Sequence, residues 1–193
     1  MPRKILVVHA HPDAGHDHLG DALAENYAEA ADTAGHEVRF QVLNRLDFPL
    51  LESAAAWRSP DIPPDIEAAQ SDLQWCDHVA FFYPLWMGDM PALLKGFLEQ
   101  VMRPDFAFTE PKGRMPAKLL TGRSARLVVT MGMPAFFYRS FYRAHSVKSF
   151  RRNMLKFAGI KPVRTSLVGM VEGSKRHRRR WLERMRRLGR AGR

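Results

Sequence analysis

Cysteine is nearly missing from the 193 residues: Cys76 stands alone. This excludes an internal disulfide and a cysteine-built zinc site, and it fits a reducing compartment. Long apolar runs are missing too. The two longest, residues 5–10 and 79–86, fall far short of the roughly 20 residues that a membrane-spanning helix requires. The opening Met1-Pro2-Arg3-Lys4 leads into a stretch too short and too soon polar for a secretory signal. The chain therefore reads as cytoplasmic, with no transmembrane segment. Repeats and low-complexity linkers are also lacking, and the length suits one domain over residues 1–193. Acidic side chains are scarce in one place only. Residues 175–193 hold ten Lys and Arg against the single Glu183, whereas the rest of the chain holds twenty basic against nineteen acidic residues. The formal net charge of +10 thus belongs to one terminal element.

What is present is a 46% apolar chain, enough to exclude general disorder. Its apolar residues fall in short blocks separated by helical patterns. Lys4–His9 and His78–Pro84 are continuous apolar runs, as expected of strands buried on both faces. Residues 124–131 and 161–168 read as two more strands, and 37–43 alternates like a strand near a sheet edge. Between them the spacing predicts helices over 19–34, ending at Gly35, and over 65–75, 92–102, 143–157 and 174–188, with a long proline-bearing loop over 44–64. Parallel strands need helical crossovers, so this alternation predicts an α/β three-layer sandwich: a five-stranded parallel sheet with helices on both faces. Residues 174–193 form a basic terminal helix and tail. Trp181, Leu182, Met185 and Leu188 recur at helical spacing, so one face docks and the other carries the arginines. That outer face is read first as solvated, with contact to an anionic surface as the alternative; nucleic acid is not expected, because the body of the chain is nearly neutral.

In a doubly wound sheet a ligand lies beyond the carboxyl ends of the strands. Three such segments are unusual. After the first strand comes His9-Ala10-His11-Pro12-Asp13-Ala14-Gly15-His16-Asp17-His18-Leu19-Gly20, a polar loop feeding a helix start, which suits an anion, with the histidines as added donors; the plainer reading makes Asp17 an N-cap and the histidines surface residues. After the third comes Pro84-Leu85-Trp86-Met87, and after the fourth Thr130-Met131-Gly132-Met133, followed by a cluster of aromatics. Both offer flat side chains and exposed backbone to a planar ring.

The block Pro84-Leu85-Trp86 through Met90-Pro91-Ala92-Leu93-Leu94-Lys95-Gly96-Phe97 resembles the signature of the flavodoxin-like NAD(P)H:quinone oxidoreductases, a family that includes potassium-efflux ancillary subunits and drug-activity modulators. Weaker likeness runs through Ala10-His11-Pro12, Leu46-Asp47-Phe48-Pro49-Leu50 and Asp105-Phe106-Ala107-Phe108. The resemblance implies a flavodoxin-like sheet of order 2-1-3-4-5 and a homodimeric enzyme. Such an enzyme takes hydride from NAD(P)H onto bound FMN, or alternatively FAD, and passes it to a quinone. It implies flavin phosphate or ribityl contacts at His11, His18, Leu19 and Gly20. It implies a ring seat at Pro84, Leu85, Trp86, Met87, Thr130, Met131, Gly132 and Met133, and a catalytic pair in Tyr138 and His145. Two other readings stand beside it. One is a non-catalytic flavodoxin-like subunit that uses its basic helix to hold a partner. The other is a zinc-dependent deacetylase, whose opening Ala10-His11-Pro12-Asp13 resembles; its next two positions, Ala14 and Gly15, lack the acids that such a metal site needs, so no metal ligands are expected.

Overall fold

The computed structural model describes residues 1–15, 18–110 and 115–193. Its sheet follows from which strands are apolar on every residue. β1 (Lys4–His9), β3 (His78–Pro84) and β4 (Ser124–Thr130) are buried along their length apart from Lys4, whereas β2 (Glu37–Val42) buries Gln41 and exposes Phe40, against the alternation expected of it, and β5 (Val163–Val168) is buried only in part. The first three take the centre and the last two the edges, in the order β2-β1-β3-β4-β5. All neighbours are parallel, with Val7 opposite both Phe40 and Ala80, and Leu127 opposite both Phe81 and Thr165. This is the expected order.

Alternation along the strands divides the core into two layers. Leu6, Val8, Phe81, Leu127 and Val129 face α3 (Pro64–Trp75), α4 (Ala92–Val101) and Phe150. Ile5, Val7, Ala80, Phe82 and Val128 face α1 (Leu19–Thr33) and the last helix, Lys175–Arg190. Gly35, in the left-handed region at φ 84°, ends α1 one residue beyond its cap, Ala34. The last helix crosses α1 so closely that a Cβ on Gly189 would lie 2.2 Å from the Tyr27 carbonyl oxygen, so only glycine fits there.

The connections differ from expectation in two places. The 44–64 loop contains a 3-10 turn, Leu43–Arg45, and a short helix, α2 (Ala54–Arg58), started by the Ser53 side chain accepting from the Ala56 amide. The stretch after β4 forms α5 (Ala135–Ser140), then a break at Arg143 and Ala144, both in the left-handed region. Helix resumes as α6 (His145–Ser149), widens through Phe150–Leu155 and closes as α7 (Lys156–Ala158), which leaves α8 for Lys175–Arg190. Ala-Phe-Phe-Tyr carries no helical apolar period, which is why α5 was invisible in the pattern. Burial pushes the lone Cys76 thiol up to about 12, so it stays protonated and inert.

His78 opens β3 with no solvent exposure; its Nδ1 lies 2.8 Å from Ser124 Oγ, and its Nε2 is buried without a partner. Burial, reinforced by Arg3, Arg126 and Arg164, lowers it to about 3. The unfolded chain, near 6.5, therefore binds a proton that the folded chain refuses between these values. The neutral-His contribution is intact above pH 6.5 and is lost as pH falls towards 3, at about 1.4 kcal/mol per pH unit. Denaturant unfolding of His78→Gln across this range should show an acid slope smaller by one proton than that of the parent chain, and equal slopes would reject the assignment.

Candidate functional site

The ends of β1, β3 and β4 meet at one edge because their register is in step. The Ala10 amide donates to the Phe82 carbonyl at 2.8 Å, and the Leu85 amide to the Thr130 carbonyl at 2.7 Å, so pairing continues just past the strands. The three loops beyond are thereby brought side by side. They form an open shelf. A groove of about 570 Å³ lies elsewhere, between α4 and α7, and its lining includes Leu98, Met102, Phe108 and Phe157.

On the β1 side, histidine rings form a ladder. His9 and His11 are near-parallel at 6.4 Å between centroids, and His11 stacks on His18 at 3.8 Å, with the edge of Trp86 against His11 at 5.8 Å. The Asp13 amide donates to His11 Nδ1 at 3.2 Å, which leaves the proton of the neutral ring on Nε2. The His11 ring is held further by Asn44, whose side-chain amide donates to the His11 carbonyl at 2.9 Å. Although His11 is only 8% exposed, its Nε2 has no hydrogen-bond partner among the described residues and is not sealed from solvent.

Acids bracket this ladder. Asp21 places Oδ1 2.8 Å from His9 Nε2, a charge contact without hydrogen-bond alignment, while its Oδ2 accepts from the His18 amide at 2.9 Å. Asp13 Oδ2 lies 3.1 Å from His18 Nε2. Burial lowers His9 despite Asp21, and lowers His11 with help from His18, so both rings are neutral at neutral pH. His18 is the N-cap of α1, so the Leu19 and Gly20 amides lie in its first turn, where no preceding carbonyl can take them. His11, His18, Leu19 and Gly20 therefore do converge at one helix head, with neutral N–H donors and the positive end of a dipole. Asp17 lies outside the described residues.

On the β3 side, Met87 and Gly88 both take positive φ, 49° and 81°, and the Trp86 and Asp89 amides and carbonyls bond reciprocally at 2.9 Å. This is a tight primed turn. It leaves Trp86 and Met87 exposed and Leu85 half-buried, but it occupies the Leu85 and Trp86 amides; Pro84 has none, so only Met87 and Gly88 retain amides for a ligand.

Across the gap, Thr130 is buried and Met131 turns its side chain into the core, with its amide bonded to the Val168 carbonyl at 2.9 Å. Gly132 and Met133 are what this turn presents. Gly132 is exposed, and a Cβ there would meet nothing within 4 Å. The turn is fixed from behind by β5: the Met170 amide donates to the Met133 carbonyl, and a Cβ on Gly169 would sit 2.4 Å from the Ala135 amide nitrogen.

Tyr138 and His145 differ in exposure, although Ala144 and Ser146, on either side of His145, both bond to Tyr138. Tyr138 is fully buried with its hydroxyl 2.7 Å from Ser146 Oγ, while His145 lies exposed after the left-handed break. As placed, Tyr138 braces α5 against α6. The residues that sequence pattern missed are Asp21 and Asn44, and with them the contact that Asp21 makes to His9. His9 and Asp21 looked like a strand end and a helix first turn, and only three-dimensional register shows that they meet. Among the described residues, no group of three His, Cys, Asp or Glu is placed to hold a metal ion.

Known proteins share this arrangement. The sequence pattern of the family Flavodoxin_2, a flavodoxin-like fold, matches residues 3–188. A ribosyldihydronicotinamide dehydrogenase-like protein of Penicillium crustosum is 31% identical over 157 residues, which span 67% of this chain and 57% of that protein. An NAD(P)H:quinone oxidoreductase from Methanothermobacter marburgensis superposes with a TM-score of 0.82 over 100% of both chains at 24% identity. An FMN-dependent NADH-azoreductase from Bacillus anthracis, solved with FMN, gives 0.75 over 98% of both chains at 14% identity. The sheet order and a family pattern spanning nearly the whole length agree, and the chain belongs to the flavodoxin-like fold family.

Proposed function

We propose that this chain is a flavin-dependent oxidoreductase that carries hydride from NAD(P)H to a quinone-type acceptor, with FMN as the flavin and FAD as the alternative. The observation that carries this reading is His11 Nε2, without a hydrogen-bond partner among the described residues, on a ring stacked on His18 at the head of α1, with an open glycine turn at Gly132 on the same edge of the sheet. The names of the related proteins, which work with nicotinamide, quinone and FMN, support it.

The residues present fit the group. His11 Nε2, with the Leu19 and Gly20 amides, binds a phosphate and needs no lysine to do so. Trp86, Met87, Gly132 and Met133 offer a flat, partly apolar seat with free amides at Met87, Gly88, Gly132 and Met133. When bound, the flavin supplies the hydride chemistry itself. The chain's part is then to stack the ring on this seat, hold the phosphate, and aim amide dipoles at charge that develops on the ring. Tyr138 contributes by position, through Ser146, and proton supply falls to solvent-facing groups such as His145.

A second copy completes the proposal. The groove between α4 and α7 is apolar along its floor, and its charged rim pairs Lys95 with Glu99 and Arg58 with Glu110. Such a neutral face lets two strongly basic chains meet, where α8 would repel its copy. The isolated inert thiol supports the cytoplasmic placement, and no described helix is long and apolar enough to cross a membrane.

The purified protein should show a flavin absorption band and oxidise NAD(P)H in the presence of menadione and FMN or FAD; neither band nor turnover in any of these combinations would remove the oxidoreductase reading. Gly132→Val should fold with an unchanged melting curve, because its Cβ meets open space, yet lose at least about tenfold in flavin affinity by fluorescence titration, as one misplaced contact is worth about 1.4 kcal/mol. FMN affinity should also depend on pH. Binding a phosphate raises the depressed His11, which faces His9, His18, Asp13 and Asp21, and raises His9, which also faces Glu25, so binding takes up protons. Affinity should therefore rise as pH falls from 8 to 6, by up to about tenfold per unit for each proton taken up, and turn over once the phosphate itself protonates near pH 6. Riboflavin, which lacks the phosphate, should show no such rise, and FMN with His11→Gln should show one smaller by the proton that His11 takes up.

A further inference from the structure

Two surface features meet at one corner of the molecule. The first is α8, whose outer side exposes Lys175, Arg176, Arg179 and Arg180 in its first two turns and Arg184, Arg186, Arg187 and Arg190 beyond. It is no loose tail. Met185 and Gly189 are buried against α1, and the Arg190 carbonyl lies 3.2 Å from His36 Nε2, so the charges are held in a fixed array. The acids of this stretch are Glu172 and Glu183, the latter 3.8 Å from Arg179.

The second feature is apolar. Phe136 and Phe141 are 71% and 70% exposed, Met170 is 51% exposed, and Phe137 and Tyr142 are partly so. Arg139 and Arg143 are exposed among them. Large apolar side chains left in water together mark a surface made to meet something. The two features adjoin at the carboxyl edge of the sheet: His177 Nε2 of α8 lies 2.9 Å from the Gly169 carbonyl, and Gly169 packs against the Ala135 amide that begins α5.

We propose that this corner docks the protein on an anionic phospholipid bilayer. Arginines over lipid headgroups gain from the negative surface potential, while aromatic rings beside them enter the boundary between headgroup and acyl chain. The apolar half of the patch argues for lipid over nucleic acid. Phe137 and Phe141 stack on each other at 5.1 Å and 5°, so their paired faces are already used and cannot both receive bases. Phe136, Phe141 and Met170 gain nothing from a phosphodiester backbone. The docking rests on this surface alone and goes beyond the proposed chemistry. Only its benefit rests on that reading: the patch surrounds the edge where the shelf opens, so a lipid-dissolved acceptor would reach the site without crossing water.

The test is flotation of the whole protein with vesicles of phosphatidylglycerol in phosphatidylcholine, beside vesicles of phosphatidylcholine alone, at low and high salt. Binding to the anionic vesicles only, weakened by salt, is expected. Charge reversal in R176E/R179E/R180E should lower partitioning at least about 100-fold, since each basic residue near such a surface counts for about fivefold. R176K/R179K/R180K, which keeps the charge, should bind as the parent does. F136S/F141S should lose about tenfold while keeping the salt dependence. Circular dichroism melting of each variant separates lost docking from lost fold. No binding to anionic vesicles, equal binding to neutral ones, indifference to the charge reversal, or tighter binding to an oligonucleotide duplex in the same buffer would overturn the proposal. Because no flavin or acceptor is added, a failed reductase assay leaves this result untouched.

Discussion

Parallel strands cannot be joined by a tight turn, and that restriction shapes the molecule. Each strand must be followed by a crossover, so every strand delivers the chain to the same edge before it leaves the sheet. β1, β3 and β4 sit side by side because they are the strands apolar enough to be covered on both faces. Their three exits are therefore neighbours, and the polar or conformationally demanding residues that cannot enter the sheet gather there. The histidines, the Met87-Gly88 turn and Gly132 occupy that edge for the same reason.

The histidine ladder sets uncharged rings beside the head of α1 in a body that is itself largely neutral. Burial holds His9 and His11 uncharged, so the site carries N–H donors without a fixed positive charge that would demand a permanent counterion. Asp21 ties this state to the backbone, since one carboxylate contacts His9 and also accepts the amide at the head of α1. A change at Asp21 would therefore reach the ring ladder and the helix start together.

Much of the architecture was legible because it depends on periodicity. The continuous runs at β1, β3 and β4 and the docked stripe on α8 each name a burial state that the packing then satisfies, whereas β2 exposes Phe40 and buries Gln41. α5 was not legible: of its aromatics Phe136 and Phe137 are exposed and Tyr138 alone is buried, so no buried stripe marks it. Around the site, residue type pointed to His11, His18, Gly132 and Trp86, which do line the edge. Residue type did not show that some of these groups have a second use: the Tyr138 hydroxyl serves Ser146, the Leu85 amide extends the pairing to Thr130, and the Trp86 amide closes a turn. His9 and Asp21 are far apart in their local patterns, one in a strand and one in a helix. Only the crossing of α1 over the sheet joins them.

The close approach of Gly189 to Tyr27 has a consequence for how the chain is made. One of the two hydrophobic layers, built on Ile5, Val7, Ala80 and Phe82, is roofed by α1 and α8, and α8 comes after all five strands in synthesis. While a nascent chain is still emerging from the ribosome, that half of the core has one helix over it and a slot of bare carbonyl and methyl surface beside it. The opposite layer can close earlier. Completion of the domain thus waits on its most cationic segment, and whatever shields the open slot in the meantime must tolerate ten positive charges arriving last.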